Sequence, residues 1–330
     1  MQTVFRPLLK PCIAILLGLL IGTAALIQVA AQESTETSQL SVVANVVYPA
    51  EDGSEISGYL AVPDGVDASL LPEMIEAAGA DVTATDEATS DEADMMATEE
   101  AEAAATDEAA EPAETVEPDA DGLYPAVLMV HEWWGLNEEM TEMADILAAE
   151  GYVVLAVDTY RGVLATTVPA AIAARTSADP VRVDSDMQAA YAYLASLPFV
   201  DVENIGVIGF CYGGGVALRH GTQNAEITAV VDLYGETIDD PEGFGALLEN
   251  GAEVLGIFGS EDEQFPAERI EAFDMALTDA GVVHAVTVYD GVGHAFVNPE
   301  ALETTEQAQD AWDQVLTFLE ENLKDEAAAS

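Results

Sequence analysis

The chain has 330 residues, of which 62 are acidic and 8 basic, a formal net charge of −54 at pH 7. That balance excludes a nucleic-acid partner, because binding to phosphate backbones rests on Lys and Arg contacts. It also disfavours anionic membrane surfaces and, more weakly, anionic substrates, while the 50% of residues that are hydrophobic suffice for a core of ordinary size.

Residues 1–31 read as a secretory signal peptide. Arg6 and Lys10 form the positive start, 13–29 is a nearly unbroken apolar run, and Val29-Ala30-Ala31 supplies small residues before a cleavage site. The expected location is therefore secreted or periplasmic. An uncleaved anchor is the alternative, since the run is near the minimum of about 17 residues for a membrane span. Cys12 precedes the run and is not placed for lipid attachment. Once it is removed, Cys211 is the sole cysteine and has no disulfide partner.

Residues 41–66 alternate apolar and polar around Asp52-Gly53 and predict an N-terminal β-hairpin. Residues 68–121 are mostly Ala, Glu, Asp and Thr, with no basic residue and almost no aromatics. Such a segment buries too little apolar surface to offset ordering entropy, so it is expected to be a disordered acidic insertion. It contains no calcium loop with spaced carboxylates and a central glycine.

From 122 to 324 the pattern is regular. Strand-like runs fall at 124–130, 152–157, 204–209, 227–234, 253–258 and 284–289. Segments with helical spacing fall at 137–149, 181–194, 213–220, 267–280 and 301–323. Strands alternating with helices predict a mainly parallel sheet with helices on both faces, in one domain.

Gly209-Phe210-Cys211-Tyr212-Gly213 stands where the run 204–209 gives way to a helix start. That is the pattern of a nucleophile elbow, whose flanking glycines let the backbone turn sharply. A free cysteine alone is often a small buried hydrophobe; in this turn reactivity explains it better. A thiol nucleophile needs a base and a group to orient that base. Asp262 follows one later strand and His294 another, in the chain order of an α/β-hydrolase triad. Asp262 by itself says little, because Glu261 and Glu263 flank it, and His294 by itself could cap a helix. His131-Glu132-Trp133-Trp134-Gly135 begins like a zinc-protease motif but has Gly135 where the second histidine belongs. No metal and no cofactor are expected. His220 and His284 read as ordinary helix and strand residues.

These motifs, with Asp158-Thr159-Tyr160, Gly259-Ser260-Glu261-Asp262 and Gly293-His294-Ala295-Phe296, resemble the dienelactone hydrolase family. The resemblance covers about 41–66 and 123–323. It implies an α/β-hydrolase fold, a Cys211-Asp262-His294 triad, and Glu132 as a fourth member contacting the resting thiol. The elbow places the N–H of Tyr212 at the developing oxyanion, with a second N–H from the Glu132–Trp133 loop, that of Trp133. Glu132 should raise the thiol's pKa. Trp134, Tyr160 and Phe296 are expected to contact the substrate, although Trp133 and Trp134 read equally well as core aromatics.

The resemblance also marks a departure. The type member has serine directly after the triad histidine and arginine four positions after that histidine, which with a second arginine bind the substrate carboxylate. Here those positions are Ala295 and Asn298, and Arg161 and Arg175 are the basic residues expected near the pocket. A neutral ester, lactone or thioester, hydrolysed by a monomer, fits this pattern. The competing reading is a secreted acidic binding or surface protein with an inert hydrolase domain.

Overall fold

A computed structural model describes residues 38–40, 44–66, 118–119 and 122–323; residues 1–31 and nearly all of 68–121 lie outside it. In chain order the elements are β1 (Ser38–Leu40), β2 (Val46–Pro49), β3 (Glu55–Ala61), β4 (Tyr124–Val130), α1 (Glu138–Ala149), β5 (Val153–Val157), β6 (Val163–Ala165), α2 (Val168–Ser177) and α3 (Pro180–Ala195). There follow β7 (Val200–Phe210), α4 (Tyr212–Gly221), β8 (Ala229–Leu233), a 3-10 turn (Pro241–Phe244), α5 (Gly245–Asn250), β9 (Glu253–Gly259), α6 (Ala267–Ala280), β10 (His284–Tyr289), α7 (Pro299–Thr304) and α8 (Glu306–Leu323).

Eight strands form one sheet in the order β10-β9-β8-β7-β4-β5-β3-β2. It is parallel from β10 to β5. The hairpin β2–β3 then adds antiparallel at the edge, β3 pairing with β5. Its turn sits at the expected dipeptide: Gly53 has φ +80°, and Asp52 accepts from the Ser54 N–H at 2.9 Å. Every residue of β4, β5 and β8 is buried, as parallel strands covered on both faces require. Each buried valine or leucine there contributes about 1.5–3 kcal/mol. The covering helices carry apolar stripes at three- and four-residue spacing; in α8 the stripe is Ala308, Ala311, Trp312, Val315, Phe318, Leu319 and Leu323.

The helix expected over 301–323 is two helices. Thr305 is extended, ending α7, and its carbonyl accepts from Ala308 and Gln309 to start α8. β1, β6, α2, the 3-10 turn and α5 were not expected. The polar–apolar pattern of α2 is weak because its buried face is only Ala170 and Ala171.

The chain runs from β4 outward to β5, then returns across β4 to β7. Beside this reversal, at the carboxyl ends of β4 and β7, open α/β sheets form their ligand crevices. Residues 131–135 and Cys211 follow directly from those two strand ends.

Candidate active site

Cys211 links β7 to α4 in a strained conformation, φ 53° and ψ −113°, which costs on the order of 1–3 kcal/mol. The neighbouring glycines make the turn possible by close approach. A Cβ on Gly209 would lie 2.0 Å from the Gly213 carbonyl oxygen, and one on Gly213 would lie 2.2 Å from that of Val130. The Cys211 N–H donates to Leu233 at 2.9 Å, tying the elbow to β8.

His294 brings its Nε2 to 3.0 Å from Cys211 Sγ. Its Nδ1 lies 2.7 Å from Asp262 Oδ2. Because a carboxylate only accepts, Nδ1 carries a proton and Nε2 faces the thiol as an acceptor. The other Asp262 oxygen accepts from the Gln264 N–H at 2.8 Å, which fixes the carboxylate. The Asp262 side chain is fully buried. Phe265 stacks on the imidazole at 5.9 Å and Tyr234 meets it edge-on at 5.2 Å.

Burial pushes the Cys211 thiol up to about 12, and the Glu132 carboxylate adds to that rise. The N–H groups of Tyr212 and Trp133 both hydrogen-bond the sulfur and oppose it. Glu132 is itself raised to about 7, first by burial and then by Glu139. The site thus holds its sulfur protonated at rest, with an imidazole acceptor and two N–H donors around it. That arrangement can deprotonate a thiol and receive a negative oxygen beside it.

A cavity of about 270 Å³ opens at Cys211, lined also by Arg175, Arg219, Glu236, Gln264 and Phe265. Arg175 pairs with Glu236 at 3.3 Å, and Arg219 pairs with Asp184. Arg161 is not in this lining: it holds the buried Asp186 and reaches Asp52 in the hairpin turn. Trp134 and Phe296 are not in the lining either. Trp133 and Trp134 pack with Ala165, Ala170 and Ala171 beneath α2, and buried Phe296 packs on Tyr234 and Tyr289. Tyr160 is buried with its ring against His131 and Tyr212, beside a second cavity of about 180 Å³. Asn298 caps α7, accepting from the Ala301 N–H at 2.9 Å. The lining residues Glu236, Gln264 and Phe265 carry no motif of their own; Gln264 and Phe265 stand two and three residues after Asp262. Among the described residues, no group of three or more His, Cys, Asp or Glu could hold a metal ion.

The sheet, the elbow and the facing histidine define an α/β-hydrolase. The family model of the dienelactone hydrolase family matches residues 112–323, and the chain belongs to that family. A protein from Synechocystis sp., provisionally named a carboxymethylenebutenolidase, is 29% identical over 225 residues, covering 63% of this chain and 90% of the relative. One of the same name from Methylorubrum extorquens is 30% identical over 215 residues, covering 61% and 73%. A crystal structure from Klebsiella pneumoniae subsp. pneumoniae, provisionally named a dienelactone hydrolase, superposes with a TM-score of 0.54 at 26% identity, covering 62% of this chain and 90% of that one. The chain is accordingly an ester- or lactone-hydrolysing enzyme.

Proposed function

We propose that this enzyme cleaves neutral carboxylic esters or lactones through a Cys211 nucleophile, and that it does so outside the cytoplasm. The unbroken line from Asp262 through His294 to Cys211 Sγ carries the reading. His294 Nε2 takes the thiol proton as Sγ forms a bond to the carbonyl carbon, and Asp262 stabilises the imidazolium. The carbonyl oxygen becomes an oxyanion beside the N–H groups of Tyr212 and Trp133, the two donors that already reach the sulfur. Collapse breaks the carbon–oxygen bond, the leaving oxygen takes the proton from His294, and a thioester remains. Water, deprotonated by the same imidazole, then releases the acid and restores the thiol. Glu132 opposes charge on the resting sulfur, which protects an exported thiol from oxidation.

Substrate neutrality rests on the cavity's two arginines being already paired, with Glu236 and Asp184, and on Asn298 serving as a helix cap. Export rests on residues 1–31. The test is turnover of a panel of aryl esters and lactones before and after iodoacetamide. Labelling of Cys211 that abolishes turnover supports the reading; full activity after complete labelling overturns it. An inert binding protein would turn over none of the panel.

A further inference from the structure

We propose that His131 is a positioning residue that aims the Trp133 N–H at the reacting oxygen by gripping the carbonyl on the other side of the same peptide. The inference rests on the catalytic reading above, but it concerns a side chain that touches neither substrate nor sulfur.

His131 follows β4 and is almost wholly buried, at 1% exposure. Its Nδ1 lies 2.5 Å from the carbonyl oxygen of Glu132. That oxygen can only accept, so Nδ1 carries the proton. Burial disfavours the charged ring, and the neutral ring then has its second nitrogen free to accept. Thr159 Oγ1 stands 2.9 Å from Nε2 and donates to it. The Tyr212 hydroxyl is in turn hydrogen-bonded to Thr159. Asp158 lies 4.0 Å from Nε2, with its oxygens held by the N–H groups of Tyr160 and Gly162. The rings of Tyr160 and Tyr212 hold the imidazole at 4.7 and 5.9 Å.

The geometry converts into function through peptide planarity. The carbonyl of Glu132 and the N–H of Trp133 belong to one rigid unit and point in opposite directions. Fixing the carbonyl therefore fixes the N–H, and a donor on the oxygen polarises the N–H further. The Gly135 N–H also reaches this carbonyl, at 3.2 Å, so His131 adds to a turn that would otherwise hold the peptide by one longer bond. The network also includes Tyr212, whose own N–H is the second donor. A buried histidine here is thus explained by its Nδ1–H, which no apolar residue supplies.

The test compares His131→Asn, His131→Gln and His131→Phe in the full chain, using a neutral aryl ester and an aryl trifluoromethyl ketone. The ketone adds Sγ to its carbonyl carbon, passes the thiol proton to His294 and leaves an oxyanion in the same place. Asparagine puts its amide near the Nδ1 position and should keep kcat within about threefold of wild type. Glutamine puts its amide near Nε2, and phenylalanine has none. Both should lower kcat about ten- to hundredfold with KM within about twofold, less than the 10²–10³ seen when a donor is lost outright. The ketone's Ki should rise by the factor by which kcat/KM falls. Equal kcat for the Asn and Gln variants, or a Ki unmoved while kcat drops, overturns the proposal. If the Phe variant does not fold, the Asn–Gln comparison still decides. Loss of wild-type turnover on Cys211 labelling separates a failure here from a failure of the catalytic reading.

Discussion

Arg175 and Glu236 meet in the wall of the cavity at Cys211, Nη2 3.3 Å from Oε2, with Arg269 on the other oxygen at 3.0 Å. Neutral methyl esters should therefore have a higher kcat/KM than the matching carboxylates, and added salt should narrow the gap by screening the acidic surface. Glu236→Gln frees Arg175. The pair is half exposed, where such contacts contribute about 1 kcal/mol at most, so this variant should improve the carboxylate substrate by roughly fivefold or less relative to the ester. Steady-state kinetics on the matched pair at low and high salt checks both points. A wild-type preference for the carboxylate at both salts rules out a neutral-substrate pocket.

Glu132→Gln removes a like charge from beside the sulfur. The thiol's pKa should fall from its value of about 12, and each unit of fall raises the thiolate fraction about tenfold at a given pH. Iodoacetamide should then label the resting variant faster than wild type at pH 8, where Glu132, raised to about 7, is charged. Labelling rates followed against pH report this directly, and unchanged rates would mean that burial alone holds the thiol neutral.

His294→Ala should bring turnover near background, since it removes the ring nitrogen that faces the sulfur. Asp262→Asn should be only somewhat more active. Its amide would keep one oxygen on the Gln264 N–H and turn an N–H toward His294 Nδ1, forcing the proton onto Nε2. A tautomer error of this kind costs about 10⁴ in kcat. An Asp262→Asn enzyme with a nearly normal rate would move the orienting role to Glu261 or Glu263.

Asp232 is fully buried at the end of β8 and raised by that burial to about 8. A carboxyl whose folded pKa lies above its unfolded value stabilises fully below the unfolded pKa and loses that contribution as pH rises through the folded one. The window here runs from about 4 to about 8. Glu132 has the same sign, so the comparison should be with Asp232→Asn, in which Glu132 is unchanged. The Tm of wild type should fall relative to this variant across that window; parallel curves would show that Asp232 has an ordinary pKa in the fold.

The strand–helix alternation, the elbow and the three residues converging on it were legible because each rests on local chemistry. Glycines mark close backbone approach, apolar runs mark buried strands, and chain order singles out Asp262 and His294 as partners for Cys211. The cavity lining was not legible in the same way. Glu236, Gln264 and Phe265 reach Cys211 through loops whose paths depend on packing, and Trp134 was claimed by the alanines of α2, which carry no strong period. Arg161 has a positive φ of 52° and turns to Asp186, an acid that helical spacing alone could not mark as buried. His131 drew attention only as one letter of the motif 131–135 and with no role of its own, because its hydrogen bond is to a neighbouring carbonyl.

Arg161, Arg175, Arg182, Arg219 and Arg269 each grip a carboxylate of the same fold. Residues 121–330 nevertheless hold 38 acidic and 6 basic residues. With the described arginines committed internally, the excess negative charge is left to ions drawn from solution. The protein's working unit therefore includes a cloud of mobile cations, whose density sets how closely a second anion, dissolved or macromolecular, can approach.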